Sequence, residues 1–252
     1  MSDSTRRTSS TIRSSSQGDC RYSAALTSTS KPGADTTLTS LMRTRHSARA
    51  FLPTPVPHSL LQEVLQLAQQ TASNSNCQPW HVKILTGGAL QRLSSALLDA
   101  VKAGVEPTTE PIPEPYDHYR SESGHLLYGP DGYDIAREDK GAAETALLRN
   151  YAFFNAPVGL FFCMDKSLAD VDLMCVGMYM QSLSLLLAER GVACCWQVSV
   201  AGYPNVVRTE LKIGDEMLIL SGGAMGYEDL GARPNGFRTA RDAWREHVSF
   251  FE

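Results

Sequence analysis

Three residues within a span of five, Arg45, Ser47 and Arg49, carry the groups that hold a phosphate. The guanidinium forks match its oxygens in charge and geometry, and the hydroxyl adds one more donor. About thirty residues further on, Ser73-Asn74-Ser75-Asn76-Cys77-Gln78 runs into Pro79-Trp80. Its short amides and hydroxyls on a bent backbone suit a polyol and the edge of a heterocycle. The two stretches together point to a phosphorylated ligand with both parts.

Other chemistries find no footing. The stretch Gly222-Gly223-Ala224-Met225-Gly226 follows an apolar run but lacks the spacing of a dinucleotide-binding loop. No Gly-x-Ser-x-Gly elbow occurs, and His46, His58, His81, His118, His125 and His247 form no close ligand pair, so neither acyl transfer nor a metal site is expected. The six cysteines make no Cys-x-x-Cys pair and are too sparse for a secreted disulfide scaffold, which suggests reduced thiols inside a cell. Adjacent Cys194 and Cys195 sit in an apolar run and are expected to pack. A formal charge of -4 gives no basic field for nucleic acid.

The chain resembles the nitroreductase family of FMN-dependent NAD(P)H oxidoreductases in five elements that occur in the family's order. They are Arg45-His46-Ser47-Ala48-Arg49-Ala50-Phe51, Asn76-Cys77-Gln78-Pro79-Trp80, Gly191-Val192-Ala193-Cys194-Cys195-Trp196-Gln197, Gly222-Gly223-Ala224-Met225-Gly226-Tyr227 and the tail Asn235-Gly236-Phe237-Arg238-Thr239-Ala240-Arg241. The resemblance runs from about Leu38 to the C-terminus. It implies an α+β nitroreductase-like fold, a central mixed sheet surrounded by helices, in a domain-interlocked homodimer with FMN between the subunits.

By the same resemblance, Arg45, Ser47 and Arg49 hold phosphate and ribityl, joined by Arg238 and Arg241, while His46 fills a variable position. Ser73, Asn74 and Asn76 come from the partner subunit, and Gln197 and Val198 lie near flavin N5. NADH or NADPH is the reductant. The flavin carries the redox work, so no catalytic side chain is expected. The segment with Tyr116, Tyr119 and Tyr128 resembles the nitrobenzoate-reductase branch, and these tyrosines are candidates to stack on substrate. The implied activity is hydride transfer to a flat conjugated acceptor: a nitroaromatic, a quinone or an activated alkene. A non-catalytic flavin carrier or flavin-bound regulatory partner is the alternative.

Several elements must position these groups. The pattern predicts a short helix from Leu38 to Arg45 and a second to about Gln70, opened by a Ser59–Gln62 capping box. A strand from His81 to Thr86 is followed by a turn at Gly87-Gly88 and a helix through Val101. Residues 105–137 show no sustained period and read as a functional or disordered loop. A helix is expected over Asp139–Phe154, a buried strand over Pro157–Met164, and a long core helix over Leu168–Arg190 with Gly191 past its end. Pro204–Leu211 and Met217–Leu220 complete the helix and strand set. The apolar run Leu173–Ala188, 16 residues, falls short of a membrane span. Trp80 is expected in the core, and Trp196 leans the same way.

Residues 1–37, rich in Ser and Thr with scattered arginines, are expected to be a disordered segment ahead of one domain, 38–252. The segment lacks an apolar signal core, so a cytoplasmic location is expected. Its Arg/Ser-rich composition makes a mitochondrial transit peptide the alternative.

Overall fold

A computed structural model describes residues 36–252, so expectations for the N-terminal segment fall almost wholly outside the described residues. Four strands form one sheet in the order β1-β2-β4-β3: β1 His81–Thr86, β2 Val158–Asp165, β3 Ala193–Gln197 and β4 Met217–Gly226. Each neighbouring pair is antiparallel. Instead of a mixed sheet, parallel pairing among the described residues is confined to an isolated bridge between Ser47 and Cys194.

Strand β2 explains the layering. Its Val-Gly-Leu-Phe-Phe-Cys-Met run is buried on both faces, which is why it reads as continuously apolar. Leu160, Phe162 and Met164 enter one core with α2 (His58–Ala68) and α6 (Asp170–Glu189). Phe161 and Cys163, on the other face, enter a second core with Leu93 and Leu97 of α3 (Gly87–Lys102), Val200 of α7 (Val198–Ala201) and Val207 of α8 (Pro204–Leu211). The period of two thus distributes one strand between two helical layers. Trp80 belongs to the α6 side, stacked on Tyr179 at 4.8 Å with its indole N–H donating to Gln69 at 2.7 Å.

Helix α6 is 20 residues long and apolar enough to cross a membrane by length and composition. Length therefore does not separate the alternatives; burial does. Val176, Tyr179, Leu183 and Leu187 line the core, as a central helix requires. Val171, Met174 and Met178 remain exposed on the same helix.

Local structure departs from expectation in several elements. Pro57 occupies the cap position of α2 and no Ser59–Gln62 box forms, because the proline's fixed φ already directs the chain into the helix. Gly87, at φ +51°, passes from β1 directly into α3 without a separate turn. The 105–137 segment contains α4, Asp117–Tyr128, which buries none of its residues and so offers no apolar stripe to read. The helix begun at Asp139 is α5, Lys140–Leu148, and it stops early. Beyond it Phe153, Phe154 and Asn155 take positive φ, with Phe153 fully buried; burial of the aromatic pair overrides the helical pattern. Strand β4 continues through Gly222-Gly223 to Gly226, so those glycines are strand residues, with Trp196 and Val200 close above them.

Candidate functional site

Helix α1 (Leu38–Thr44) ends with Arg45 as its cap, and the following residues run alongside the edge strand β3. Ala48 N–H donates to the Cys194 carbonyl at 3.3 Å, and Ser47 bridges Cys194. This covers the edge of the sheet and fixes the direction of the Arg-rich stretch. Asn235 pins it from the tail, accepting from Arg49 N–H at 2.6 Å and donating to the Ala50 carbonyl at 2.8 Å. Residues almost two hundred positions apart are thereby fastened together.

The result is a cavity of about 320 Å³ lined by Arg43, Arg45, His46, Ser47 and Arg49 from one end of the domain and Phe237, Arg238, Thr239 and Arg241 from the other. Five arginines line it and no Asp or Glu does. Among the described residues none of the five forms an ion pair with a carboxylate. The Arg45 side chain has no hydrogen-bond partner among them; Arg49 donates to the Ser47 carbonyl at 3.2 Å, and Arg238 and Arg241 donate to carbonyls of their own tail. Uncompensated like charges held together favour an anion.

His46 lines the cavity, but both ring nitrogens are engaged, Nδ1 with the Thr44 carbonyl at 3.1 Å and Nε2 with Glu228 at 2.7 Å. Its ring therefore has no donor left for a phosphate. Cys194 and Cys195 beneath the stretch are packing residues: burial pushes both thiols up, Cys194 to about 12.

Three residues beyond Cys194, β3 ends at Gln197 and α7 opens at Val198, which places them about 10 Å along the strand from the Ser47 bridge. Val198 is exposed. The Gln197 side chain points inward, its Nε2 donating to the Asn150 carbonyl at 2.8 Å while Oε1 is buried without a partner.

Ser73, Asn74 and Asn76 lie elsewhere. The Asn74–Asn76 turn rests on the N-terminal end of α6, where Asn74 N–H donates to Cys175 Sγ at 3.3 Å and Cys77 Sγ donates to Asp172 at 3.2 Å. Ser73 Oγ accepts from Gln78 N–H at 3.0 Å. Arg45 instead borders a cavity with Ser184 and Ala188 near the other end of the same helix. At 1.5 Å per residue, Cys175 and Ala188 stand about 20 Å apart along α6. A single chain does not bring the two motifs together.

Nor are the three candidate tyrosines gathered. Tyr116 is exposed, and its hydroxyl makes no hydrogen bond among the described residues. The Tyr119 hydroxyl donates to Asp242, tying α4 to the C-terminal tail, and Tyr128 packs beside Tyr133 with ring centroids 6.2 Å apart. Tyr133 is the tyrosine of this segment that reaches the arginines, under Arg149 and near Arg49. Sequence reading passes over Tyr133 and Arg149 because neither sits in a motif; an arginine closing a helix beside Asn-Tyr was the available signal.

The chain is thus an α+β fold with two cores about one sheet and an arginine-lined cavity at the covered edge of that sheet, and comparison with known proteins gives its family. Residues 42–227 match the model of the nitroreductase family, and the chain belongs to that family. It is 34% identical over 209 residues to 4-nitrobenzoate reductase of Pseudomonas putida, covering 80% of this chain and 90% of that protein. Chloronitrobenzene nitroreductase of Comamonas testosteroni is 33% identical over 218 residues, covering 83% and 95%. Among solved structures, the FMN and NADPH-dependent nitroreductase NfnB of Sphigopyxis sp. strain HMH superposes with a TM-score of 0.81 at 32% identity, over 85% of this chain and 98% of that one. The FMN-dependent NfnB of Mycobacterium smegmatis, in complex with NADPH, gives 0.78 at 30% identity, over 84% and 96%.

Proposed function

We propose that the protein is an FMN-dependent oxidoreductase that takes hydride from NADH or NADPH and passes it to a flat conjugated acceptor such as a nitroaromatic, a quinone or an activated alkene. The observation that carries this reading is the cavity whose five lining arginines lack any carboxylate partner. It fits the phosphate of a mononucleotide, and the relatives named above are FMN enzymes or nitroaromatic reductases.

Arg45, Arg49, Arg238 and Arg241 hold the phosphate, with Ser47 as a further donor. The backbone from Ser47 along β3 to Val198 spans about 10 Å, the stretch over which a ribityl chain would extend. Exposed Val198 then offers its backbone N–H to the ring, and Gln197 holds that turn against Asn150. When bound, FMN supplies the hydride chemistry that no side chain here provides.

The separation along α6 supports a homodimer in which Ser73, Asn74 and Asn76 of one copy complete the site of the other. Exposed Val171, Met174 and Met178 on α6, and Trp244, Phe250 and Phe251 on the tail, provide apolar surface for such an interface. The described cysteines are free thiols, in keeping with a cytoplasmic protein. Sedimentation of purified protein tests the dimer, with a flavin-loaded monomer as the refuting result; absorbance and anaerobic reduction by each nicotinamide test the activity.

A further inference from the structure

Helix α4 buries none of its residues, so the core does not explain its place in the fold. The C-terminal tail does. Asp134, just beyond the helix, accepts from Arg233 Nη1, and the Tyr119 hydroxyl donates to Asp242 Oδ2, which His247 Nε2 also meets at 3.2 Å. These two contacts fall on either side of Arg238 and Arg241, the arginines that the tail contributes to the cavity of about 320 Å³.

Both contacts are made to one piece of structure. Beyond α4 the chain folds back, with Asp134 N–H donating to the Gly129 carbonyl and Ile135 N–H to that of Tyr128, each at 2.9 Å. From Tyr119 to Tyr128 the helix rises about 14 Å, whereas the tail from Arg233 to Asp242 could reach about 30 Å if fully extended. The tail therefore arches between its contacts without tension, fastened along α4 at each end.

The near end of the arch is well held: Asn235 is buried and bonded to the backbone of Arg49 and Ala50, and the Arg49 guanidinium lies 5.6 Å over the Phe237 ring. From Arg238 onward every residue is exposed, so the bond to Tyr119, rather than burial, holds the far end. Arg238 Nη1 donates to the carbonyls of Asn235 and Phe237, and Arg241 Nη1 to those of Thr239 and Ala240. Their guanidiniums thus travel with the tail, while Nε and Nη2 remain for a ligand. We propose that Tyr119 is a positioning residue of the cofactor site, which through Asp242 fastens the tail so that Arg238 and Arg241 face the phosphate. This rests on the flavin reading above and deepens it, moving Tyr119 from the substrate to the cofactor.

The test titrates the full-length apo-protein with FMN and with riboflavin, which has the same ring and ribityl chain but no phosphate. The variants are Tyr119→Phe, Asp242→Ala, Asp242→Asn and the double substitution of Tyr119→Phe with Asp242→Ala. A hydrogen bond to a carboxylate at an exposed position is discounted for solvent, so Tyr119→Phe and Asp242→Ala should each weaken FMN roughly three- to ten-fold. Riboflavin affinity should stay at its wild-type value. Asp242→Asn keeps an acceptor oxygen and should recover part of the loss. The double variant should bind FMN no more weakly than either single one, because both remove the same bond.

Equal losses for FMN and riboflavin overturn the proposal, since they would reflect a general distortion of the domain. So do additive losses in the double variant, or tighter FMN binding in Asp242→Ala, which would make the carboxylate a competitor for Arg241. Unchanged FMN affinity with a raised KM for a quinone at saturating FMN would return Tyr119 to the substrate. A wild-type protein that binds no FMN, or binds riboflavin as tightly as FMN, defeats the reading of the arginine cavity and this inference together. A wild-type preference for FMN that survives in every variant defeats the inference alone.

Discussion

Replacing Arg45 with Ala separates a ligand-binding arginine from a structural one, because its side chain has no hydrogen-bond or ion-pair partner among the described residues and shares its cavity with four other arginines. Its removal breaks no hydrogen bond or ion pair among the described residues and relieves like-charge repulsion, so the flavin-free protein should be about as stable as wild type. FMN affinity should move the other way. A hydrogen bond to a charged group contributes about 1.5–3 kcal/mol, which corresponds to a loss of roughly ten- to a hundred-fold. With FMN at about 100 times the wild-type Kd, binding stabilises the fold by about 2.7 kcal/mol; a thirty-fold weaker site leaves about 0.9 kcal/mol. For a domain of this size the lost increment lowers the Tm of the FMN-loaded sample by about 4–7 °C. Fluorescence titration of apo-protein with FMN and thermal melts with and without it give both quantities. Unchanged affinity, or a destabilised apo-protein, would refute the assignment of Arg45 to the phosphate.

Three further outcomes follow from the packing and the titrating groups. A Cβ at Gly222 would stand 2.3 Å from Val200, so Gly222→Ala should push α7 away from the sheet and lower turnover, visible as reduced kcat in steady-state assays; wild-type kcat would show that the position of α7 is not critical. Trp80→Ala removes the stack on Tyr179 and the bond to Gln69, and should cost about 3–5 kcal/mol in urea unfolding, with a cost under about 1 kcal/mol contradicting its place in the core. Burial raises Cys194 from 9.0 to about 12 and Tyr179 from 10.0 to about 12. Folded pKa values above the unfolded ones mean stability fully present below about pH 9 and lost progressively as pH rises towards 12. Equilibrium unfolding across that range checks the direction, and peptide-resolved alkylation at pH 8 should leave Cys194 and Cys195 unmodified in the folded protein.

The candidate site was legible where chemistry and spacing coincide in sequence. Arg45, Ser47 and Arg49 lie close enough together to be read directly, and Arg238 and Arg241 joined them through the family resemblance; the fold places all five residues on one cavity. Elements with a one-sided or fully apolar pattern, such as α6 and β2, were legible for the same reason that they fold: burial dictates the residue types. Helix α4 escaped because it buries nothing and therefore leaves no periodic trace. Strand β3 escaped as a strand because Ala-Cys-Cys-Trp-Gln is a short run whose pairing comes from β4 on one side and from an isolated bridge to Ser47, almost 150 residues away, on the other. His46 fills a variable position of the motif, and only the fold shows that Glu228, distant in sequence, holds its ring. Tyr133 and Arg149 belong to no motif, and only the fold shows that they meet.

The central claim is that the arginine cavity holds FMN for nicotinamide-driven hydride transfer. Its most direct test is the visible spectrum of the purified protein, followed anaerobically on addition of NADH or NADPH. A flavin spectrum near stoichiometric with the chain, bleached by at least one nicotinamide and restored by a nitroaromatic or quinone, is the expected result. A colourless protein that takes up no FMN on reconstitution, or a bound flavin that neither nicotinamide reduces, would contradict the account.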